Sequence, residues 1–165
     1  MHSLKDKCRR DIVIDTNVLV HAAGGGGAAE EKDSSLAILA WLSETTEVLW
    51  VLDDQGKRAP DLSTSVLASE YNSSLPPQSI GLALLTSFLL SNRVSFSPRP
   101  SQADAKVIRR LVPNNTRDRA VLGAAIGAQD KVLVSNDYAD FSVDVREQAK
   151  ENFGASIHDS TELAA

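Results

Sequence analysis

Four acidic side chains fall where folding could bring them together. Two short apolar runs, Asp11-Ile12-Val13-Ile14 and Lys131-Val132-Leu133-Val134-Ser135, each reach a carboxylate within two positions, at Asp15 and Asp137. Asp118 stands where a helix should begin, and Glu70 lies in a helical pattern beside Val66, Leu67 and Tyr71. If both runs are parallel strands of one sheet, their C-terminal ends share the edge at which α/β sheets bind ligands. Carboxylates gathered there repel and raise one another's pKa. A divalent cation is the simplest compensation, and oxygen-only ligation suits Mg²⁺ or Mn²⁺ rather than Zn²⁺. His2, His21 and His158 are scattered and Cys8 is the one cysteine, so no Cys/His metal cluster is expected.

Each acid also has a purely structural reading. Asp15 with Thr16 could simply cap a helix. Asp118 could be an N-cap or a first-turn acid facing the helix dipole, and Glu70 a solvated helix face. Asn136-Asp137 is ordinary turn chemistry. Joint placement, rather than any single residue, separates a site from four coincidences.

The elements that must position these acids follow from the periodicity. Residues 11–14 read as a strand buried on both faces, and 16–23 as the helix after it. Gly24 to Gly27 form a loop running to Asp33; no Lys-Ser/Thr follows these glycines, which argues against a phosphate-binding P-loop. Asp33 or Ser34 should cap a second helix carrying Leu36, Leu39, Ala40 and Leu42. A strand over 48–52 leads into a polar turn over 53–60, and 61–64 reads as a short returning strand. Helices are expected over 63–74 and 78–90, separated by Pro76-Pro77. A strand over 93–96, a helix capped by Ser101 through Leu111, and a helix over 116–128 come next. A strand over 131–135, a helix over 143–152, a strand over 155–157 and a closing turn over 161–165 complete the chain. Alternating strands and helices predict a three-layer α/β/α sandwich on a central, mainly parallel sheet. We read one domain over 11–165, preceded by a polar, fraying lead-in over 1–10.

The 165 residues suffice for one ordinary core. Aromatics make up only 5%, so Val, Leu, Ile and Ala must fill it, with Trp41 and Trp50 as core residues. A net charge of −5 argues against a protein that coats nucleic-acid phosphates. It leaves open a metal-dependent nuclease, whose bound ions reverse the local sign. Cys8 alone excludes an internal disulfide and fits a reducing cytoplasm. No apolar stretch approaches the roughly 20 residues of a membrane span, and the basic start lacks the apolar segment of a secretion signal. A cytoplasmic protein without membrane contact is the expectation.

The motifs Ile14-Asp15-Thr16-Asn17, Ser63-Thr64-Ser65-Val66-Leu67-Ala68-Ser69-Glu70, Asp118 with Leu122 and Ala125, and Val134-Ser135-Asn136-Asp137 before Asp140-Phe141 occur in that order. In type, order and spacing they resemble the PIN-domain nucleases, over nearly the whole chain from Asp11 to Leu163. The polar turn over 53–60, the Gly24 to Gly27 loop and the spacing from Asp137 to Asp140-Phe141, one residue longer than the commonest form, depart from the family pattern, and the last counts against a role for Asp140. The resemblance implies a PIN-like fold and a Mg²⁺- or Mn²⁺-dependent endoribonuclease leaving 5′-phosphate and 3′-hydroxyl ends. It implies Asp15, Glu70, Asp118 and Asp137 as catalytic metal ligands, with Asp15 and Asp137 foremost. Asn17 and Ser135 would orient the site, and Asp140 is a candidate fifth acid. RNA is the implied substrate, and the toxin of a toxin–antitoxin pair the commonest role. An antitoxin and a second copy of the chain are the implied partners.

Gripping RNA at such a cleft needs nearby cations, and Arg109, Arg110, Arg117 and Arg119 bracket Asp118; a solvated face is their alternative reading. Two other functions remain open. A haloacid-dehalogenase-like phosphatase would use Asp15 as nucleophile, but it wants a second acid two positions on, where this chain has Asn17. A PIN-like fold could also serve as a non-catalytic RNA or protein interaction module.

Overall fold

The computed structural model describes residues 3–164; expectations for Met1, His2 and Ala165 lie outside them. Five strands form one all-parallel sheet: β1 (Asp11–Ile14), β2 (Leu49–Asp53), β3 (Val94–Ser97), β4 (Val132–Val134) and β5 (Ser156–His158). Their spatial order is β3-β2-β1-β4-β5. The chain winds outward from β1 to β2 and β3, then crosses back to β4 and β5. Since β-to-β crossovers are right-handed, this reversal places the intervening helices on opposite faces. The result is the expected three-layer α/β sandwich.

Helices α2 (Thr16–Ala22), α3 (Ala29–Glu44), α4 (Val66–Ser74) and α5 (Ile80–Leu90) belong to the outward half. Helices α6 (Gln102–Leu111), α7 (Thr116–Gly127) and α8 (Val143–Phe153) belong to the return half. Covering both faces is why β1 reads Ile12-Val13-Ile14 without alternation; all three are fully buried. Leu133 and Val134 of β4 are buried in the same way, and Trp50 of β2 packs edge-on against Tyr71 and Phe88.

Several boundaries differ from the sequence reading. α3 starts at Ala29, one turn before Asp33 and Ser34, because Ala28-Ala29-Glu30-Glu31 is good helix-forming sequence with its acids in the first turn. The stretch read as a short strand at 61–64 is a turn wound on the Asp61 carboxylate, which accepts the Ser63 and Thr64 N–H groups and the Ser63 hydroxyl. It delays α4 to Val66, with Ser65 as its cap. The described part of the lead-in is ordered rather than frayed: α1 (Leu4–Lys7) and the Cys8 after it dock through Leu4 and Cys8, which join the main buried cluster. The closing turn contains α9 (Ser160–Leu163), capped by Asp159. Among the described residues no helix is long and apolar enough to cross a membrane.

Candidate metal centre

β1 and β4 are neighbours whose connections leave in opposite directions, so the crevice beyond their C-terminal ends is the topological switch point of the sheet. Ile14 pairs with Val134, and the Asp15 N–H continues the ladder to the Val134 carbonyl at 2.9 Å. Register alone therefore puts Asp15 level with Ser135. The Ser135 hydroxyl donates to Asp15 Oδ2 at 2.6 Å, and Asn17 Nδ2 donates to the same oxygen at 2.8 Å. Asp15 Oδ1 accepts the Thr16 N–H at 2.8 Å. Asn17 Oδ1 in turn accepts the Asn136 N–H, which stitches the two strand ends together. The capping role and the site role of Asp15 thus coexist.

The tightest acidic group is Asp118, Asp137 and Asp140, each offering an oxygen within 4.8 Å of the others. Asp118 comes from the first turn of α7, and the other two from the loop after β4. Asn115 caps α7, its Oδ1 accepting the Arg117 and Asp118 N–H groups, while its Nδ2 donates to Asp140 Oδ2 at 3.0 Å. One amide therefore fixes the helix start against the loop. Asp137 Oδ1 accepts the Ala139 and Asp140 N–H groups, winding the loop so that its two acids face Asp118.

Two residues that sequence reasoning passed over brace this arrangement. Arg146, 9% exposed, donates from one guanidinium to the carbonyls of Phe141, Ser135 and Asp137 and stacks on the Tyr138 ring. No local pattern marks it, because its partners are backbone carbonyls in a loop. Asp53, buried at the end of β2, accepts the Ser65 hydroxyl and the Val66 and Leu67 N–H groups. It sets the start of α4. The Tyr71 hydroxyl donates to the Ile14 carbonyl, tying that helix to the end of β1 one residue beyond Glu70.

The electrostatics are those of a crowded anionic site. Burial raises Asp15 to about 6 against the stabilising Ser135 bond, and the Glu70 charge raises it further. Asp118 is pushed to about 8, first by burial, then by the facing Asp140 carboxyl and the charges of Asp15, Asp137 and Asp140. With both ionised, no hydrogen bond joins Asp118 to Asp140; one proton between them would. Two buried carboxylate oxygens, Asp118 Oδ2 and Glu70 Oε2, have no hydrogen-bond partner. An orphaned acceptor such as Asp118 Oδ2 within an oxygen-only acidic trio is what a hard divalent cation satisfies. Asp118, Asp137 and Asp140 are the residues that could hold it, with Asp15 and Glu70 adding charge nearby. Asp140 thus stands in the closest group, while the oxygens of Asp15 are already engaged by protein donors.

The four arginines do not act together. Arg119 spends its guanidinium on the Val112 and Pro113 carbonyls, bracing the turn before α7. Arg109 and Arg110 lie exposed on α6 and make no side-chain hydrogen bond or ion pair among the described residues. Arg117 lines a cavity with one of the acids, Glu70. The two histidines among the described residues stay out of the acidic group: His21 meets Asn136 and Glu31, and His158 meets Lys7 and Glu162.

Neither the models of known protein families nor the curated proteins yield a match to this chain.

Proposed function

We propose that the chain is a PIN-like, metal-dependent endoribonuclease. The observation that carries this reading is the Asp118, Asp137 and Asp140 group at the switch point, with Asp118 Oδ2 orphaned inside it. Asp118, Asp137 and Asp140 would hold Mg²⁺ or Mn²⁺, with Asp15 and Glu70 completing the negative field. A cation bound there would polarise a phosphodiester and lower the pKa of its water.

The chain's own residues support the same chemistry. Ser135 and Asn17 hold Asp15 in one orientation, and Asn115 holds Asp118 and Asp140 against each other. Without a cation, Asp118 keeps its proton at neutral pH, and binding would release it. The phosphatase alternative is weakened at two atoms. Asp15 Oδ2, the oxygen nearest Ser135, is already doubly hydrogen-bonded, and Asn17 is committed to Asp15 and Asn136.

A cytoplasmic toxin with an antitoxin protein, acting as a monomer or with a second copy, is the biological role this reading brings with it. The test is to incubate the pure protein with labelled single-stranded RNA, with Mn²⁺ or with chelator. Cleavage should need the cation and vanish in Asp118→Asn and Asp137→Asn. Cleavage surviving either substitution, or a covalent phosphate on Asp15, would overturn it.

A further inference from the structure

Beside the acids lies a second, chemically different cavity. It holds about 270 Å³ between the turn at 63–65, one side of α4 and the start of α7. That is just below the roughly 300–1,000 Å³ of small-molecule sites, room for a sugar-phosphate unit rather than a whole nucleotide. Its wall is hydroxylic: Ser63, Thr64, Ser69 and Ser73 line it together with Arg117 and Glu70.

The N–H groups at the start of α4 are not what a ligand would meet there. Asp53 accepts those of Val66 and Leu67, and Ser65 accepts that of Ala68. The available donors are therefore side chains. Ser69, exposed on α4, makes no side-chain hydrogen bond among the described residues. Ser73 bonds only the Glu70 carbonyl, so its oxygen can still accept. Arg117 is exposed and forms no ion pair with Glu70, although both line the cavity. Ser63 and Thr64 are already turned onto Asp61, which leaves Arg117 as the anchor for an anion. A guanidinium beside one free hydroxyl, Ser69, and one accepting hydroxyl, Ser73, can grip a phosphodiester and both accept from and donate to a ribose 2′-hydroxyl. Arg117 ties this cavity to the metal centre, since it immediately precedes Asp118 in the first turn of α7.

We propose that this cavity is a ribose-phosphate subsite for the RNA strand. Arg117 grips a phosphodiester adjoining the one cleaved, and Ser69 and Ser73 read the 2′-hydroxyl. The subsite rests on the ribonuclease reading for its position but not for its chemistry. A hydroxyl-reading wall beside the acids would make the enzyme prefer RNA to DNA of the same sequence.

The experiment measures binding and cleavage separately. Anisotropy of a fluorescent six-nucleotide RNA, and of the matching DNA, is read in chelator, and cleavage kinetics are read in Mn²⁺. Arg117→Gln should weaken both oligonucleotides about tenfold and raise KM with kcat little changed. Ser69→Ala combined with Ser73→Ala should weaken RNA about fivefold and leave DNA unchanged. All three side chains are exposed, and circular dichroism checks that the variants fold. Unchanged affinities in Arg117→Gln, or equal losses for RNA and DNA in the serine variant, overturn the subsite while cleavage stands. Arg117-dependent RNA binding by a protein that never cleaves keeps the subsite and overturns the nuclease. A wild-type chain that neither binds nor cleaves RNA overturns both.

Discussion

Raising the pH of the metal-free protein from about 6.5 to about 8 should destabilise it, and Asp118→Asn should remove the effect. Asp118 has its folded pKa raised from 3.8 to about 8, so between those values the native state binds a proton that the unfolded chain does not. Stability from this group is then full below the unfolded pKa and is lost as pH rises through the folded one. Asp15, with a folded pKa of about 6, acts in the same sense and is nearly finished by about 7. His158, held below 6.5 chiefly by burial, acts oppositely: its unfolded form binds the extra proton, so it adds stability as pH rises towards 6.5. Above 6.5 only the tails of these two titrations remain, they oppose each other, and Asp118 dominates. At about 1.36 kcal/mol per pKa unit the loss across the window is about 2 kcal/mol at most, and about 1.6 kcal/mol with the folded group half titrated at pH 8. Asp137 and Asp140 remain half-buried, so solvent screens the site and about 1 kcal/mol is expected. For a chain of this length that is a Tm lower by about 2–4 °C. Thermal melts of wild type and Asp118→Asn in chelator, at matched ionic strength, read the difference. Mn²⁺ at about 100 times its Kd should return about 2.7 kcal/mol at pH 8, and less at 6.5 where it must displace the proton. Parallel pH profiles for the two proteins, or a wild type that melts higher at pH 8 without metal, would refute the reasoning.

Two further substitutions separate the braces from the acids. Asn115→Ala removes a cap from two N–H groups and the bond to Asp140; it should cost about 1–2 kcal/mol and weaken Mn²⁺ binding about tenfold. Urea denaturation and calorimetry measure the two effects, and stability loss with unchanged Mn²⁺ affinity would confine Asn115 to the helix. Arg146→Met keeps much of the buried stem but leaves the Phe141, Ser135 and Asp137 carbonyls unpaired, for about 2–4 kcal/mol in urea. A loss under 1 kcal/mol would show that water replaces the guanidinium.

The strands and the sheet were legible because they depend on short-range pattern. Burial on both faces forces the unbroken Ile12-Val13-Ile14 and Val132-Leu133-Val134 runs, and the acids following them are visible as exceptions. Boundaries set by side-chain turns were less legible. Asp61 turns a stretch with the look of a strand into a loop, and two acids in the first turn carry α3 back beyond Asp33.

The amino-acid sequence by itself determined the layered parallel fold and the placing of Asp15 and Asp137 just beyond strand ends, because periodicity and strand polarity are local properties. It named the acids, with Asp15 and Asp137 foremost and Asp140 as a candidate fifth. Tertiary structure alone decided that Asp140 joins Asp118 and Asp137 in one group while Asp15 is held by Ser135 and Asn17. It also decided that Arg119 braces a turn while Arg117 reaches the cavity beside Glu70. Those outcomes depend on strand order, on the winding of one loop about Asp137, and on a guanidinium from α8 gripping backbone carbonyls. Each joins residues brought together by the crossing of the chain, and such contacts leave no periodic trace in the sequence.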